Sequence, residues 1–279
     1  MSLEIAFLVL IAALLHASWN ALVKTASDRL VVISAVALGQ FLAGPVAAPF
    51  VPAPDPASWP AIAAATLFHY AYYACLVNAY RFGDLSRVYP LARGAAPLLV
   101  ALGGFFFAGE SLSFTAAVGL VLSSAGITTM AFVRRSPSAE DRSAVYLALA
   151  TGAVIAGYSV ADGIGVRASG SPFGYIAWLF ICEFPVIMVV IYRRKRRLKN
   201  QVLREWPALA GTGVCSIVAY GLVIYAVAFA PMAAVSAIRE SSVVIAALIG
   251  TVILGERPWP ARVGAAILVA GGAVLITTT

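Results

Sequence analysis

The sequence predicts an all-α integral membrane protein with ten transmembrane helices, built as two inverted five-helix repeats. Composition is the first observation behind this. Hydrophobic residues make up 62% of the chain and charged residues 11%, where a soluble domain carries about 25% charged and about 45–50% apolar residues. With a mean hydropathy of +0.93, too little polar surface remains to coat a globule in water. Length is the second observation: 279 residues accommodate ten spans of about 20 residues joined by very short loops. The apolar runs are continuous and do not alternate, which disfavours a β-barrel. The third is one offset of 146 residues, which aligns "ARGAAPLLVALGGFFFAGE" (92–110) with "IRESSVVIAALIGTVILGE" (238–256). It pairs Arg93 with Arg239, Gly104 with Gly250, Gly109 with Gly255, Glu110 with Glu256 and Gly126 with Gly272. Matched Ala and Leu mean little in so apolar a chain, but an Arg, a Gly-Glu pair and two more glycines in one register mark a duplicated unit.

The elements follow from apolar runs and their breakers. The first span, 3–23, has no basic segment ahead of it, and its run ends in His-Ala-Ser-Trp-Asn, so it reads as a retained helix and not a cleaved leader. The second, 31–50, stops at "VPAPDPAS" (51–58), and the third covers 59–80. The fourth and fifth, 87–108 and 112–133, flank the Gly109-Glu110 pair, and "RRSPSAEDR" (134–142) closes the first half. The sixth, 144–165, ends before "ASGSP" (168–172) and the seventh covers 173–192. After the basic stretch "RRKRRLKNQVLR" (193–204) come 207–228, 232–254 and 260–277. The repeats are assigned to 1–135 and 136–279. Five spans per unit make the second unit enter the membrane from the opposite side, so the repeat is inverted.

Charge sets the orientation. Odd-numbered connections hold sixteen of the nineteen Lys and Arg residues: Lys24 and Arg29, Arg81 and Arg87, Arg134, Arg135 and Arg142, seven within 193–204, and Arg257 and Arg262. Even-numbered connections hold only Arg167, while Arg93 and Arg239 fall inside spans. The positive-inside rule then places the odd connections in the cytoplasm and both termini on the extracytoplasmic side. The net charge of +7 therefore reports topology and contact with anionic lipid, not a nucleic-acid partner. The partners implied are the lipid bilayer and a small molecule.

Ionisable groups inside a bilayer are costly and tend to face a cavity or one another. Five occur within spans: Arg93, Asp162, Glu183, Arg239 and Glu240. Arg93 has Pro90 and Pro97 close by, and prolines break helix hydrogen bonds and expose backbone to a cavity. Arg93 and Arg239 are candidates for the substrate path, with a structural ion pair as the competing reading. Glu240 points about 100° away from Arg239 around the helix, so the two do not simply neutralise each other, and Glu240 is free to reach another helix. His16 and Asn20 share a helix face with Trp19 beside them, and Tyr158 and Asp162 align on that pair. His69, Tyr73 and Tyr80 follow helical spacing on the third span, with Tyr70, Tyr72 and Asn78 near them. These residues predict a polar-aromatic pocket. The competing reading makes the aromatics interfacial anchors and bonds each His to a nearby carbonyl. Asp162, Glu183 and Glu240 are candidate proton carriers. Glu110 and Glu256 read as helix caps, and Gly119, Gly126, Gly264, Gly271 and Gly272 as sites of close helix contact. Cys75, Cys182 and Cys215 lie singly in apolar runs and read as small core residues. With two His residues and no CxxC spacing, neither a metal nor any other cofactor is implied.

Three segments carry a family resemblance: "VYPLARGAAPLLVALGGFFFAGESLSFTAAVGLVLSSAGI" (88–127), its partner "AVSAIRESSVVIAALIGTVILGERPWPARVGAAILVAGGAVLI" (234–276), and "LLHASWNALVK" (14–24). The chain resembles the drug/metabolite transporter superfamily, with two EamA-type repeats over essentially its whole length. The second copy departs from the first in lacking counterparts of Pro90 and Pro97 and in having Glu240 where the first has Gly94. The resemblance implies a ten-helix carrier of the bacterial inner membrane with a central cavity, moving small metabolites by alternating access. Among substrates, an amino acid or similar zwitterion is the first expectation, with efflux and proton coupling. Amphipathic drug-like or organic anionic compounds follow, and import stays open. A membrane enzyme acting on lipid substrates is disfavoured by the absence of DxxD and HxxxH motifs, and a scaffold by its buried charges. Both halves lie on one chain, so a monomer is expected.

Overall fold

The computed structural model describes residues 1–25, 29–82, 85–130, 141–194, 198–245 and 259–278, with side chains given except at 24–30, 33, 76–89, 141–144, 194–198, 201 and 259–262. The helices are α1 (Leu3–Thr25), α2 (Arg29–Ala47), α3 (Trp59–Phe82), α4 (Leu85–Ala108), α5 (Phe114–Thr129) and α6 (Asp141–Ala168). They are followed by α7 (Pro172–Ile181), α8 (Phe184–Arg194), α9 (Leu198–Phe229), α10 (Met232–Arg239), a helical stretch 241–245 and α11 (Trp259–Thr277). No strand occurs among the described residues. The protein is an all-α membrane protein, and its backbone amides are satisfied within helices, as a bilayer demands. Five described helical segments are long and apolar enough to cross a membrane, α7 and α8 together counting as one, and three more are apolar but shorter. The expected boundary between the repeats, at 135 and 136, lies outside the described residues.

Two spans differ from the continuous helices expected. The seventh is two helices, because Pro185 has no amide to give the carbonyl of Ile181 and its ring crowds the preceding turn. The carbonyl of Cys182, freed at this break, accepts a hydrogen bond from the Tyr70 hydroxyl. The ninth is interrupted at Glu240, where the amide of Val243 turns back onto the Glu240 carbonyl at 3.0 Å. Conversely, α4 runs unbroken through Pro90 and Pro97. It packs against α5, α6 and α10, and that surrounding packing holds the helix together across its missing hydrogen bonds.

Packing follows a pseudo-two-fold relation between the repeats. The α3·α6 contact has its mate in α1·α9, and α4·α6 has its mate in α1·α10. The α2·α7 and α5·α11 pairs each join equivalent spans across the pseudo-axis. Each repeat therefore lends its helices to the other, and neither can bury its inner face alone. At α5·α11 the contact is backbone to backbone: a Cβ on Gly119 would lie 2.6 Å from the Gly272 carbonyl oxygen, so glycine is required there. Gly126 is equally confined, against Leu268 and Ala265. Gly264 and Gly271, by contrast, face open space and not a neighbouring helix, because they lie on the outer side of α11. Large apolar side chains such as Phe7, Leu42, Phe106, Phe107 and Val274 stand outward. In water they would be a liability, but in lipid they contact a matching solvent.

The end of the molecule carrying the even-numbered connections is tied by polar contacts. The Asp55 amide donates to the Ser169 carbonyl at 2.9 Å, joining the α2–α3 and α6–α7 connections. Gly109, at φ +64°, ends α4 and lets the Glu110 amide return to the Gly104 carbonyl at 3.0 Å. The Glu110 carboxylate does not cap its own following helix, which Ser113 caps instead through the Ala116 amide at 3.1 Å. Glu110 reaches the other repeat and accepts from the first amide of α10, Met232 N, at 2.9 and 3.1 Å. It also pairs with Arg167 at 2.6 Å. Arg167 in turn donates to the carbonyls of Val227 and Ala230 at the end of α9, at 2.9 and 2.7 Å. One carboxylate and one guanidinium thus satisfy groups at the α9–α10 turn that helix ends leave open. Glu256 lies outside the described residues. Glu110→Ala should lower stability by about 1–3 kcal/mol, the cost of orphaning charge-assisted bonds, read as a reduced midpoint of thermal unfolding in detergent. Glu4→Ala, at an exposed position, should leave that midpoint unchanged.

Candidate functional site

A cavity of ≈ 80 Å³ opens between the repeats. From the first repeat, α1 contributes Ala12, His16 and Trp19, α2 contributes Val36 and Gln40, and α3 contributes His69, Tyr72 and Tyr73. From the second, α6 contributes Tyr158, α9 contributes Ser216, Ala219, Tyr220 and Val223, and α10 contributes Arg239. Helical spacing explains the grouping: residues three and four apart stack on one face, as with 16 and 19, 69 and 73, and 216 and 220. The His16 and Trp19 rings meet edge to face at 4.8 Å, as do those of His69 and Tyr158. Arg239 is the one formally charged side chain in this wall among the described residues. It closes α10, where unpaired carbonyls favour a cation. It is 4% exposed, its Cζ lies 5.9 Å from the Tyr158 ring centroid, and its Nε has no hydrogen-bonding partner. A much smaller space of ≈ 10 Å³ adjoins the first, with Asp162 and Arg239 both in its wall beside Ser159, Ser236 and Tyr220.

The two arginines occupy different settings. Arg93 is 1% exposed and pairs through Nε with Glu240, while its terminal nitrogen donates to Ser242 Oγ at 3.1 Å. Glu240 is fully buried, and its other oxygen lies 3.4 Å from an Arg239 nitrogen. Glu240 therefore reaches another helix, as its angular position suggested, and it also meets Arg239. The carboxylate is committed to two guanidinium groups and does not stand among the cavity-lining groups.

Behind the aromatic wall the other two acids join one chain of hydrogen bonds. His69 Nδ1 lies 2.9 Å from Glu183 Oε1, and His69 Nε2 lies 2.8 Å from the Tyr220 hydroxyl. The Tyr220 hydroxyl donates to Asp162 Oδ2 at 2.5 Å, and the Tyr175 hydroxyl donates to Asp162 Oδ1 at 3.0 Å. Glu183 sits at the α7–α8 break, so the proline-induced interruption sets this carboxylate facing α3.

Of the residues singled out from sequence, the structure brings His16, Trp19, His69, Tyr73 and Arg239 to one cavity, with Asp162 and Glu183 hydrogen-bonded behind it. Asn20 turns its amide back onto the His16 carbonyl at 2.7 Å. Arg93 sits in the interhelical ion pair. The side chains of Asn78 and Tyr80 lie outside those described. Sequence reasoning passed over Tyr220, Tyr175, Gln40 and Ser242. For Tyr220 a signal existed: Thr212, Ser216 and Tyr220 form a polar stripe at four-residue spacing along an otherwise apolar span.

Residues 3–132 and 142–278 each match the EamA-like transporter family. No curated protein matches the chain. Among 27 matching chains of solved structures, one crystal structure covers 99% of this chain and 96% of its own, with a TM-score of 0.72 and 18% identity. At that identity the likeness concerns the fold. The chain belongs to the EamA-like transporter family, within the drug/metabolite transporter superfamily.

Proposed function

We propose that this protein is a secondary carrier that moves a small organic anion across the bacterial inner membrane by alternating access. Both termini face outward, and the cavity between the repeats is the transport site. The observation that carries the reading is Arg239, a buried guanidinium on the cavity wall with an unoccupied donor. A cation buried in a membrane is costly unless an anion completes it. Glu240 is shared with Arg93, and Asp162 and Glu183 are hydrogen-bonded behind the aromatic wall, so Arg239 is the one formal charge that the cavity wall itself presents to a ligand among the described residues. Trp19, Tyr72, Tyr73, Tyr158 and Tyr220 add apolar faces suited to a flat or aromatic body.

An amino acid is the second reading. Asp162 and Arg239 wall the small space beside the cavity, so a ligand carboxylate on Arg239 with its ammonium turned toward Asp162 would meet an opposite charge at each end. The carrier acts as a monomer, since both repeats already supply each other's packing surfaces.

Thermal shift in detergent separates these readings. Organic anions should stabilise the wild type, and Arg239→Ala should weaken their binding tenfold or more, equivalent to about 1.4 kcal/mol. Equal stabilisation of Arg239→Ala and wild type would overturn the anion site. Arg93→Ala should instead lower intrinsic stability by about 3–5 kcal/mol, because it strips one partner from a buried carboxylate. The double variant Arg93→Met/Glu240→Gln should recover part of that loss, which equilibrium unfolding would measure.

A further inference from the structure

The buried acids form a linear chain whose protons can be counted. Glu183, His69, Tyr220 and Asp162 are joined by three hydrogen bonds, and each holds one proton. With Tyr220 donating to Asp162, its oxygen accepts from His69 Nε2–H, and the third proton lies between His69 Nδ1 and Glu183 Oε1. If Tyr220 instead donates to Nε2, Asp162 carries the proton and the count is unchanged. Either way two acids and one imidazole share one net negative charge, which balances the positive charge of Arg239. A fourth proton requires a free acceptor, and Glu183 Oε2 is one: it is buried, on a residue 2% exposed, with no hydrogen-bonding partner.

Resting on the anion reading above, we infer that Glu183 Oε2 is the loading site for a coupling proton, and that one proton binds with each substrate anion held by Arg239. The anion cancels the charge of Arg239, which leaves the negative charge of the acid chain uncompensated unless a proton enters. Anion and proton therefore favour each other's binding, by an equal factor in both directions. Groups facing His69 are Glu183 at the α7–α8 break, Tyr158 and Asp162 on α6, Tyr220 on α9, Arg239 on α10, and Tyr72 and Tyr73 on its own helix, while Tyr70 bonds the Cys182 carbonyl beside Glu183. Tyr175 on α7 completes the acid at the far end. Among these only Arg239 is a fixed cation, so the anion it binds decides whether the proton stays. Joint binding makes the carrier a symporter, and an inward-directed proton gradient would drive uptake, opposite to the efflux expected from sequence. Loading is a balanced transfer: a hydronium ion gives one proton to Glu183 Oε2 and leaves water, and the same proton departs when the anion is released.

The test is proton exchange on binding, using the full-length protein in detergent with a matched pair of aromatic ligands. Phenylpyruvate has a net charge of −1, whereas phenylalanine is a zwitterion whose ammonium offsets its carboxylate, with no net charge. Titration calorimetry in phosphate and in Tris, buffers of different ionisation enthalpy, should report one proton taken up per phenylpyruvate bound and none with phenylalanine. Glu183→Gln, a neutral mimic of the loaded acid, should abolish that uptake and bind phenylpyruvate at least as tightly as wild type, whereas Glu4→Gln should keep the uptake. Binding of phenylpyruvate with no proton uptake, or with release, overturns the coupling and leaves the anion site standing. Proton uptake that persists in Glu183→Gln moves the loading site elsewhere and overturns the assignment of Oε2. If neither phenylpyruvate nor benzoate binds wild type, the anion reading fails and the coupling fails with it. Should Glu183→Gln not fold, the wild-type buffer comparison still decides whether a proton enters.

Discussion

The protein is organised around one carboxylate placed between two guanidinium groups in the middle of a membrane. Glu240 pairs with Arg93 from α4 and approaches Arg239 at the end of α10. All three are nearly or wholly buried. A lone charge at that depth is costly, so removing Glu240 would leave both guanidinium groups without their shared partner. The arrangement joins the fourth span of one repeat to the ninth span of the other. It also fixes the charge left for the cavity: Glu240 neutralises one arginine, and Arg239 remains on the cavity wall.

This result depends on a departure from symmetry. In the first repeat the position equivalent to Glu240 is Gly94. A side chain at Gly94 would crowd Thr128 and approach the Ser124 carbonyl oxygen at 3.1 Å, so the α4·α5 contact excludes one. Duplication supplied two arginines, while the acid exists in the second copy alone. The repeats share a scaffold, with α3·α6 mated to α1·α9 and α4·α6 to α1·α10. The chemistry lies where the copies differ: the acids at Asp162, Glu183 and Glu240 all belong to the second repeat, while His16 and His69 belong to the first.

Alternating access needs contacts that hold one face closed and can be exchanged for contacts on the other. The junction of Glu110, Arg167 and the Met232 amide has the right form, since it joins α4, α6, α9 and α10 across the repeats at one end of the cavity. Arg167 is about one-third exposed there, so water can reach the ion pair. The Arg93–Glu240 pair lacks that recourse. The molecule thus combines a buried ionic centre with a partly solvated ionic end.

Composition and periodicity alone determined the helical class, the span order, the inverted duplication and the identity of the buried charges. Each follows from a constraint that acts on sequence directly: a bilayer admits few charges, demands about 20 apolar residues per helix and leaves basic residues on one side. Much of the pocket was legible for the same reason, since His16, Trp19, His69 and Tyr73 stand out against an apolar background. Pairing was decided only in three dimensions. The sequence treats Arg93 and Arg239 as equals, yet one is consumed by Glu240 and Ser242 and the other lines the cavity. The break at Glu183, the reach of Glu110 into the opposite repeat and the link from His69 through Tyr220 to Asp162 were likewise set by tertiary structure. Helical spacing places a side chain on a face, but which helix lies opposite, and with what charge, depends on residues more than a hundred positions away.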